Sequence, residues 1–219
     1  MKVRVVFTKE LQLRWISHLD LIKTIEKALR RAQVPLALSQ GFNPRPKMSI
    51  AAPLALGLSS KSELLDFELQ VRVDLKALQT KINEHLPEGL EFIQLYEVPS
   101  KGPSLMSLVT VSHYQFRFFK SLKVLELEKI VELINQKEEL LFEVEQKRRT
   151  RTIDLKPGIF ALYTTDDCGE IFLNAVLETS SSRFIRPNYI VDLINEHLQE
   201  PLELEDYIIQ REKILLKLK

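Results

Sequence analysis

The sequence predicts an α+β fold made of two tandem ferredoxin-like units, each ordered β-α-β-β-α-β around an antiparallel sheet. Three features predict it. Short runs alternate apolar and polar residues with the period of a half-buried strand. Longer runs between them repeat apolar residues with the period of a helix. The order of these runs in the first half then recurs in the second, by pattern and without residue-level identity. The expected boundaries are 1–98 for the first unit, 99–106 for a linker and 107–219 for the second unit.

In the first half, Val3, Val5 and Phe7 alternate with Lys2, Arg4 and Thr8, which predicts a strand over 2–8. Ser17 and Asp20 form a capping-box variant that starts a helix. Its apolar face is Leu21, Ile22, Ile25, Ala28, Leu29 and Ala32, and Pro35 lies just beyond its end. Gly41, Pro44 and Pro46 keep residues 39–47 a loop. Strands are expected over 48–54 and 65–73. A helix capped by Asp74 follows, with Leu75, Leu78, Ile82 and Leu86 on one face, and Leu90–Val98 closes the unit as a strand.

In the second half, Tyr114, Phe116 and Phe118 mark one side of a strand over 109–119, and Val124, Leu127, Ile130, Val131 and Ile134 mark a helix. Residues 141–146 read as a strand and 153–163 as an extended stretch broken by Pro157 and Gly158, with an insertion around 147–158. Ile171, Leu173, Ala175 and Leu177 give the next strand. Pro187 opens a helix carrying Tyr189, Ile190, Leu193, Ile194 and Leu198, and the last strand begins at Tyr207.

Composition narrows the function classes. The chain has 219 residues, 45% of them hydrophobic, and a net charge of +1, which removes the simplest argument for nucleic acid, a strongly basic chain. One cysteine, Cys168, cannot form an internal disulfide or hold a zinc ion or iron–sulfur cluster alone, and a reducing cytoplasm is expected. The segment Asp166-Asp167-Cys168-Gly169 reads as a turn. The amino-terminal segment lacks the apolar core of a signal peptide, and no run reaches the ~20 apolar residues of a membrane helix. Phosphate-binding glycine loops, His-Glu-x-x-His and clustered acidic metal ligands are absent from the sequence, so the expectation is no cofactor, no metal and no catalysis by this chain alone.

Two groups of residues stand out. His18 falls in the first turn of a helix, where backbone N–H groups and the dipole favour anions. The following loop adds Gln40, Asn43, Arg45 and Lys47, and Arg14 precedes the helix; these residues together are a candidate anion- or ligand-binding site. Lys147, Arg148, Arg149 and Arg151, with Lys156 nearby, form a basic loop suited to phosphate contacts on a nucleic acid, or equally to a solvated hairpin tip. The outward side of the first sheet (Lys2, Arg4, Asp66, Glu68, Gln70 and Arg72) carries no aromatics for base stacking; these side chains suit cross-strand ion pairing instead. On the first helix, Glu26 is placed to pair with Arg30.

The pieces Ser17-His18-Leu19-Asp20-Leu21, Ser39-Gln40-Gly41-Phe42-Asn43-Pro44-Arg45-Pro46-Lys47, Pro53-Leu54, Leu56-Gly57, Lys101-Gly102-Pro103-Ser104-Leu105-Met106 and Arg186-Pro187 resemble a bacterial family of unknown function named for its linkage to a radical SAM protein. In that family the domain occurs alone or fused to a B12-binding-type radical SAM enzyme. The chain lacks the Cys-x-x-x-Cys-x-x-Cys that holds the radical SAM cluster. The resemblance therefore implies a non-catalytic accessory or substrate-presenting protein with a radical SAM protein as partner. RNA or a ribosome-related substrate is a further expectation, drawn from the fold and the basic loops. Two alternatives stand beside it: a metal-independent ribonuclease using His18, and a small-molecule or anion-binding module.

Overall fold

The computed structural model describes residues 1–119, 124–146 and 149–217. It is a mixed α+β structure whose strand pairs are largely antiparallel, and it divides into two compact units, Met1–Val109 with Arg211–Lys219, and Thr110–Gln210.

In the first unit, β1 (Lys2–Lys9) lies between β3 (Ser59–Glu68) and β4 (Phe92–Val98), antiparallel to both. A short β2 (Met48–Ile50) adds to β3 beside Leu65–Phe67. Two helices, α1 (His18–Arg31) and α2 (Leu75–Asn83), supply Leu21, Ile25 and Leu29, and Leu78 and Ile82. These meet Val3, Val5, Phe7, Leu65, Phe67 and Phe92 in one hydrophobic core. The helical stripe and the strand alternation thus face each other, as their two periods require.

The start of α1 is the capping box read from the sequence. Ser17 Oγ accepts from the Asp20 amide at 3.2 Å and donates to Asp20 Oδ2 at 2.7 Å. That bond, with Lys23 adding to it, holds the Asp20 carboxyl below its ordinary pKa. Its end is a Schellman motif: Gln33 sits at φ 52°, its amide reaches the Arg30 carbonyl, and the Val34 amide reaches Leu29.

Two strands of this unit differ from expectation. β2 stops at Ile50: the Ala51 amide still reaches the Leu64 carbonyl at 3.0 Å, but Ala52 takes φ 41° and leaves the extended path. β3 spans 59–68 rather than 65–73. Its polar start, Ser59-Ser60-Lys61-Ser62, hides it from an apolar-alternation test. Ser59 and Ser60 are nonetheless buried, and Ser60 Oγ donates to the carbonyl of Arg211 in β10 (Tyr207–Leu216). A second, smaller core of Ala51, Ala52, Leu64, Leu105, Val109 and Ile214 lies away from the helices. Leu105 comes from α3 (Leu105–Leu108), a turn of helix capped by Ser104 that follows the segment read as a linker.

In the second unit, β9 (Glu170–Glu178) runs antiparallel to both β5 (Val109–Phe118) and β8 (Ile159–Asp167), and β10 begins beside β5. Helices α4 (Val124–Gln136) and α5 (Asn188–Asn195) bury Leu127, Ile130, Val131 and Ile134, and Ile190, Val191, Leu193 and Ile194. Tyr114 and Phe116 are fully buried, as their alternation implies. Residues 141–146 form a strand as read, outside the main sheet. β6 (Leu141–Gln146) pairs only with β7 (Arg149–Asp154) as a separate hairpin, and the stretch after Gly158 supplies the sheet strand β8. Cys168 and Gly169 both adopt positive φ in the β8–β9 turn, a geometry that suits a two-residue hairpin. No described helix is long and apolar enough to cross a membrane.

Candidate functional site

The segment joining β1 to α1 carries the most specific local construction in the first unit. Leu11–Trp15 forms one turn of 3-10 helix, opened by Leu11 in the left-handed region at φ 52°. Its start is clamped from one side: the Glu10 amide donates to the Gly89 carbonyl at 2.7 Å. Gly89, at φ +85°, lies so close that a Cβ there would stand 2.6 Å from the Glu10 carbonyl oxygen. The Arg14 carbonyl accepts from the Gly57 amide at 2.8 Å. The Trp15 ring lies over Gly57, where a Cβ would meet it at 3.1 Å, and the Arg14 guanidinium sits 5.1 Å from its centroid.

These contacts hold Trp15 in place without burying it; its relative exposure is 54%. Leu11, Leu19 and Leu56, on the same turn, the first turn of α1 and the Gly57 segment, are exposed as well. Exposed apolar side chains mark a contact surface where they join into one contiguous patch.

Behind this segment lies a buried charge assembly. Arg211 Nη1 donates to Glu63 Oε1 and Oε2 at 2.9 and 3.2 Å and to the Ala52 carbonyl at 2.8 Å, with both side chains 1% exposed. Lys9, equally buried, reaches the carbonyls of Arg14 and Ile16 at 3.4 and 3.5 Å. Burial pushes its ammonium pKa down and the nearby Arg211 adds to that, while Glu63 opposes it. Lys9 therefore holds the backbone of Arg14 and Ile16 on either side of Trp15, and its ammonium feels the charges of the buried pair contributed by β3 and β10.

The residues singled out in the sequence fall as follows. Arg14 braces Trp15. His18 is the first residue of α1, half-buried, and among the described residues its side chain makes no hydrogen bond or ion pair. Gln40, Asn43 and Arg45 are exposed on a loop closed by the Leu38–Pro46 bridge, the Ser39 amide bonding the Arg45 carbonyl and the Arg45 amide bonding Ser39 Oγ. Lys47 leaves the loop along β3 and pairs with Glu68 at 3.3 Å. Among the described residues no bond joins His18 to this loop.

Of the basic group, Lys147 and Arg148 lie outside the described residues. The backbone of Arg149 pairs with Gln146, and Arg151 is exposed on β7 opposite Val144. Lys156 instead caps α4, its ammonium on the Asn135 carbonyl at 2.6 Å. Glu26 and Arg30 pair at 2.7 Å as the i, i+4 spacing suggests. Cys168 is exposed. Among the described residues no His, Cys, Asp and Glu group is placed to hold a metal ion.

The first unit's non-helical face bears charges in register. Arg4 stands opposite Asp66 and Lys2 opposite Glu68. Arg4 makes a two-pronged bond to Asp66 at 2.7 and 3.0 Å, and Lys2 adds a third contact at 3.1 Å. The ion pairing matches the sequence reading, but the expectation of a solvent face is corrected at its centre, where Arg4 and Asp66 are buried.

A family model described as uncharacterized protein conserved in bacteria (DUF2344) matches residues 2–187. The chain belongs to that family. The DUF2344 match covers the whole β1–α1 junction, the 39–47 loop and Glu63, and stops before Arg211. No curated protein matches the sequence. Among solved structures, a chain of a Cbf5-Nop10-Gar1 complex is similar, with a TM-score of 0.50 and 11% identity over 97% of this chain and 48% of that chain. At that identity the likeness concerns the fold, and this chain spans about half of the other's length.

Sequence reasoning passed over Trp15, Lys9, Glu63 and Arg211. A signal was there for two of them: Lys9 continues the buried parity of Val3, Val5 and Phe7, and Glu63 that of Phe67 and Leu65. Arg211 had none, being 148 positions away from its partner.

Proposed function

We propose that this chain is an accessory, substrate-presenting protein that works with a radical SAM enzyme and docks onto it through the β1–α1 junction. The observation that carries the reading is Trp15: a half-exposed indole fixed by Gly57, Arg14 and the Lys9-tethered backbone, with Leu11, Leu19 and Leu56 exposed on the same and adjoining segments. Tryptophan is prominent among the residues that dominate the energetics of protein contacts, and an indole already held in place loses little entropy on docking. The occupant is inferred from the resemblance of residues 17–57 to a family linked to B12-binding-type radical SAM enzymes, since the exposed residues fall in or beside those same pieces. The strand order supports a finer fold reading in which each unit is a split βαβ: β4-β1-β3 with β2 on β3 in the first, and β10-β5-β9-β8 in the second.

The test is co-purification of the full chain with a B12-binding-type radical SAM enzyme from the same genome. Wild type should form a stoichiometric complex and Trp15→Ala should lose it with an unchanged melting temperature. A complex indifferent to Trp15 would overturn the assignment of the surface, and no complex with such an enzyme would overturn the assignment of the partner.

A further inference from the structure

The charged face of the first unit contains a cavity of about 100 Å³ lined by Lys2, Arg4, Lys101, Gly102 and Pro103. Arg4 is the fixed element. Its Nε and Nη2 are both bonded to Asp66, at 2.7 and 3.0 Å, and this two-pronged bond fixes the plane of the guanidinium. A guanidinium has more N–H donors than this bond uses. Three cations line the cavity, Lys2, Arg4 and Lys101, and among the described residues the carboxylate bonded to them is Asp66, so the local balance is a surplus of two positive charges.

The neighbouring hollow is different. It is larger, about 320 Å³, but its charges are Lys2 and Lys47 against Asp66 and Glu68, which cancel. Only the smaller cavity offers a net cationic, partly desolvated pocket, and there anion contacts are stronger than at an open surface. Its third cation, Lys101, is exposed and stands next to Gly102-Pro103, part of a sequence piece that the docking reading leaves unexplained.

We infer that this cavity is a binding site for a single terminal phosphoryl group of a small molecule, held by the Arg4 guanidinium with Lys2 and Lys101 as flanking ammonium groups. The surplus of two charges suits a dianionic phosphomonoester or free phosphate. A nucleic-acid backbone carries one charge per phosphate along a continuous track, and beside this cavity the track would run onto the neutral Lys47–Glu68 surface. The site is independent of the Trp15 surface.

The experiment titrates the full chain, followed by amide NMR shifts, with inorganic phosphate, adenosine 5′-monophosphate, adenosine and a single-stranded RNA without terminal phosphates. Lys101→Ala, on an exposed loop, is the first variant, and Arg4→Lys, checked for folding by circular dichroism, is the second. Phosphate, the monophosphate or both should bind saturably with shifts around Arg4 and Lys101, and adenosine should not. Binding of the monophosphate alone makes a phosphomonoester the ligand. Equal binding of both makes the phosphoryl group alone the determinant. Lys101→Ala should weaken binding roughly tenfold, the loss of one charge-assisted contact. No saturation by either ligand up to about 10 mM, a range weaker than ordinary metabolite binding, overturns the site. Affinity unchanged in both variants overturns it too, as does RNA binding that depends on Lys101 in the absence of phosphate binding.

Discussion

Glu63→Gln preserves the size of the side chain and removes the carboxylate that faces two buried cations. Glu63 and Arg211 are each 1% exposed, and Lys9 is buried beside them. After the change, the Arg211 guanidinium keeps the Ala52 carbonyl at 2.8 Å but loses the Glu63 carboxylate, and Lys9 loses the carboxylate that favours its charged form. Breaking a buried ion pair from one side costs about 3–5 kcal/mol, because an uncompensated charge stays in a low-dielectric interior. A comparison lies on the same two strands: Lys61 and Glu212 pair at 3.0 Å, but Lys61 is 50% exposed, and Lys61→Ala should cost at most about 1 kcal/mol. Urea denaturation of the full chain should show the first unit's transition moving to much lower urea for Glu63→Gln and barely moving for Lys61→Ala. Adding Lys9→Met to Glu63→Gln removes one of the two buried cations and should restore part of the loss. A Glu63→Gln cost below about 1 kcal/mol would mean instead that the pair is hydrated like the surface one.

Three further outcomes follow from the same geometry. Lys9 has its pKa lowered in the fold, so between that value and the ordinary 10.5 the unfolded chain binds more protons, and stability should rise with pH through this alkaline window; comparing urea midpoints of wild type and Lys9→Met across it should show the slope only in wild type. Gly89→Ala should cost more than Gly169→Ala by thermal denaturation. Both glycines have positive φ, but only at position 89 does the new Cβ meet backbone, the Glu10 carbonyl oxygen at 2.6 Å, while position 169 is open. Ending the chain after Gln210 removes Arg211 and should leave the first unit unfolded or strongly destabilised, as judged by amide exchange of β1 and β3.

The sequence shows its helices and central strands clearly where one period dominates. The stripe Leu21, Ile25, Ala28 and Leu29 and the alternation Val3, Val5 and Phe7 each face the core as expected. It misleads where burial is polar. Ser59 and Ser60 begin β3 because a strand from the far end of the chain lies beside them, and local alternation carries no trace of a partner some 150 residues away. The second unit's hairpin has a similar cause: 141–146 has strand composition, but composition does not choose between the main sheet and a local turn. The candidate site was half legible. The segment from Arg14 to His18 stood out, yet the emphasis fell on its cations. The feature that structure brings forward is the exposed indole beside them, which becomes meaningful only once Gly57 and the Lys9 tether are seen to hold it.

Calorimetric titration of the full chain into a B12-binding-type radical SAM enzyme, wild type against Trp15→Ala, tests the docking proposal most directly. The account predicts saturable one-to-one binding that weakens about thirtyfold or more in the variant, the scale of a tryptophan hot spot, with no change in melting temperature. Absence of binding by the wild type, or equal affinity in the two proteins, would contradict it.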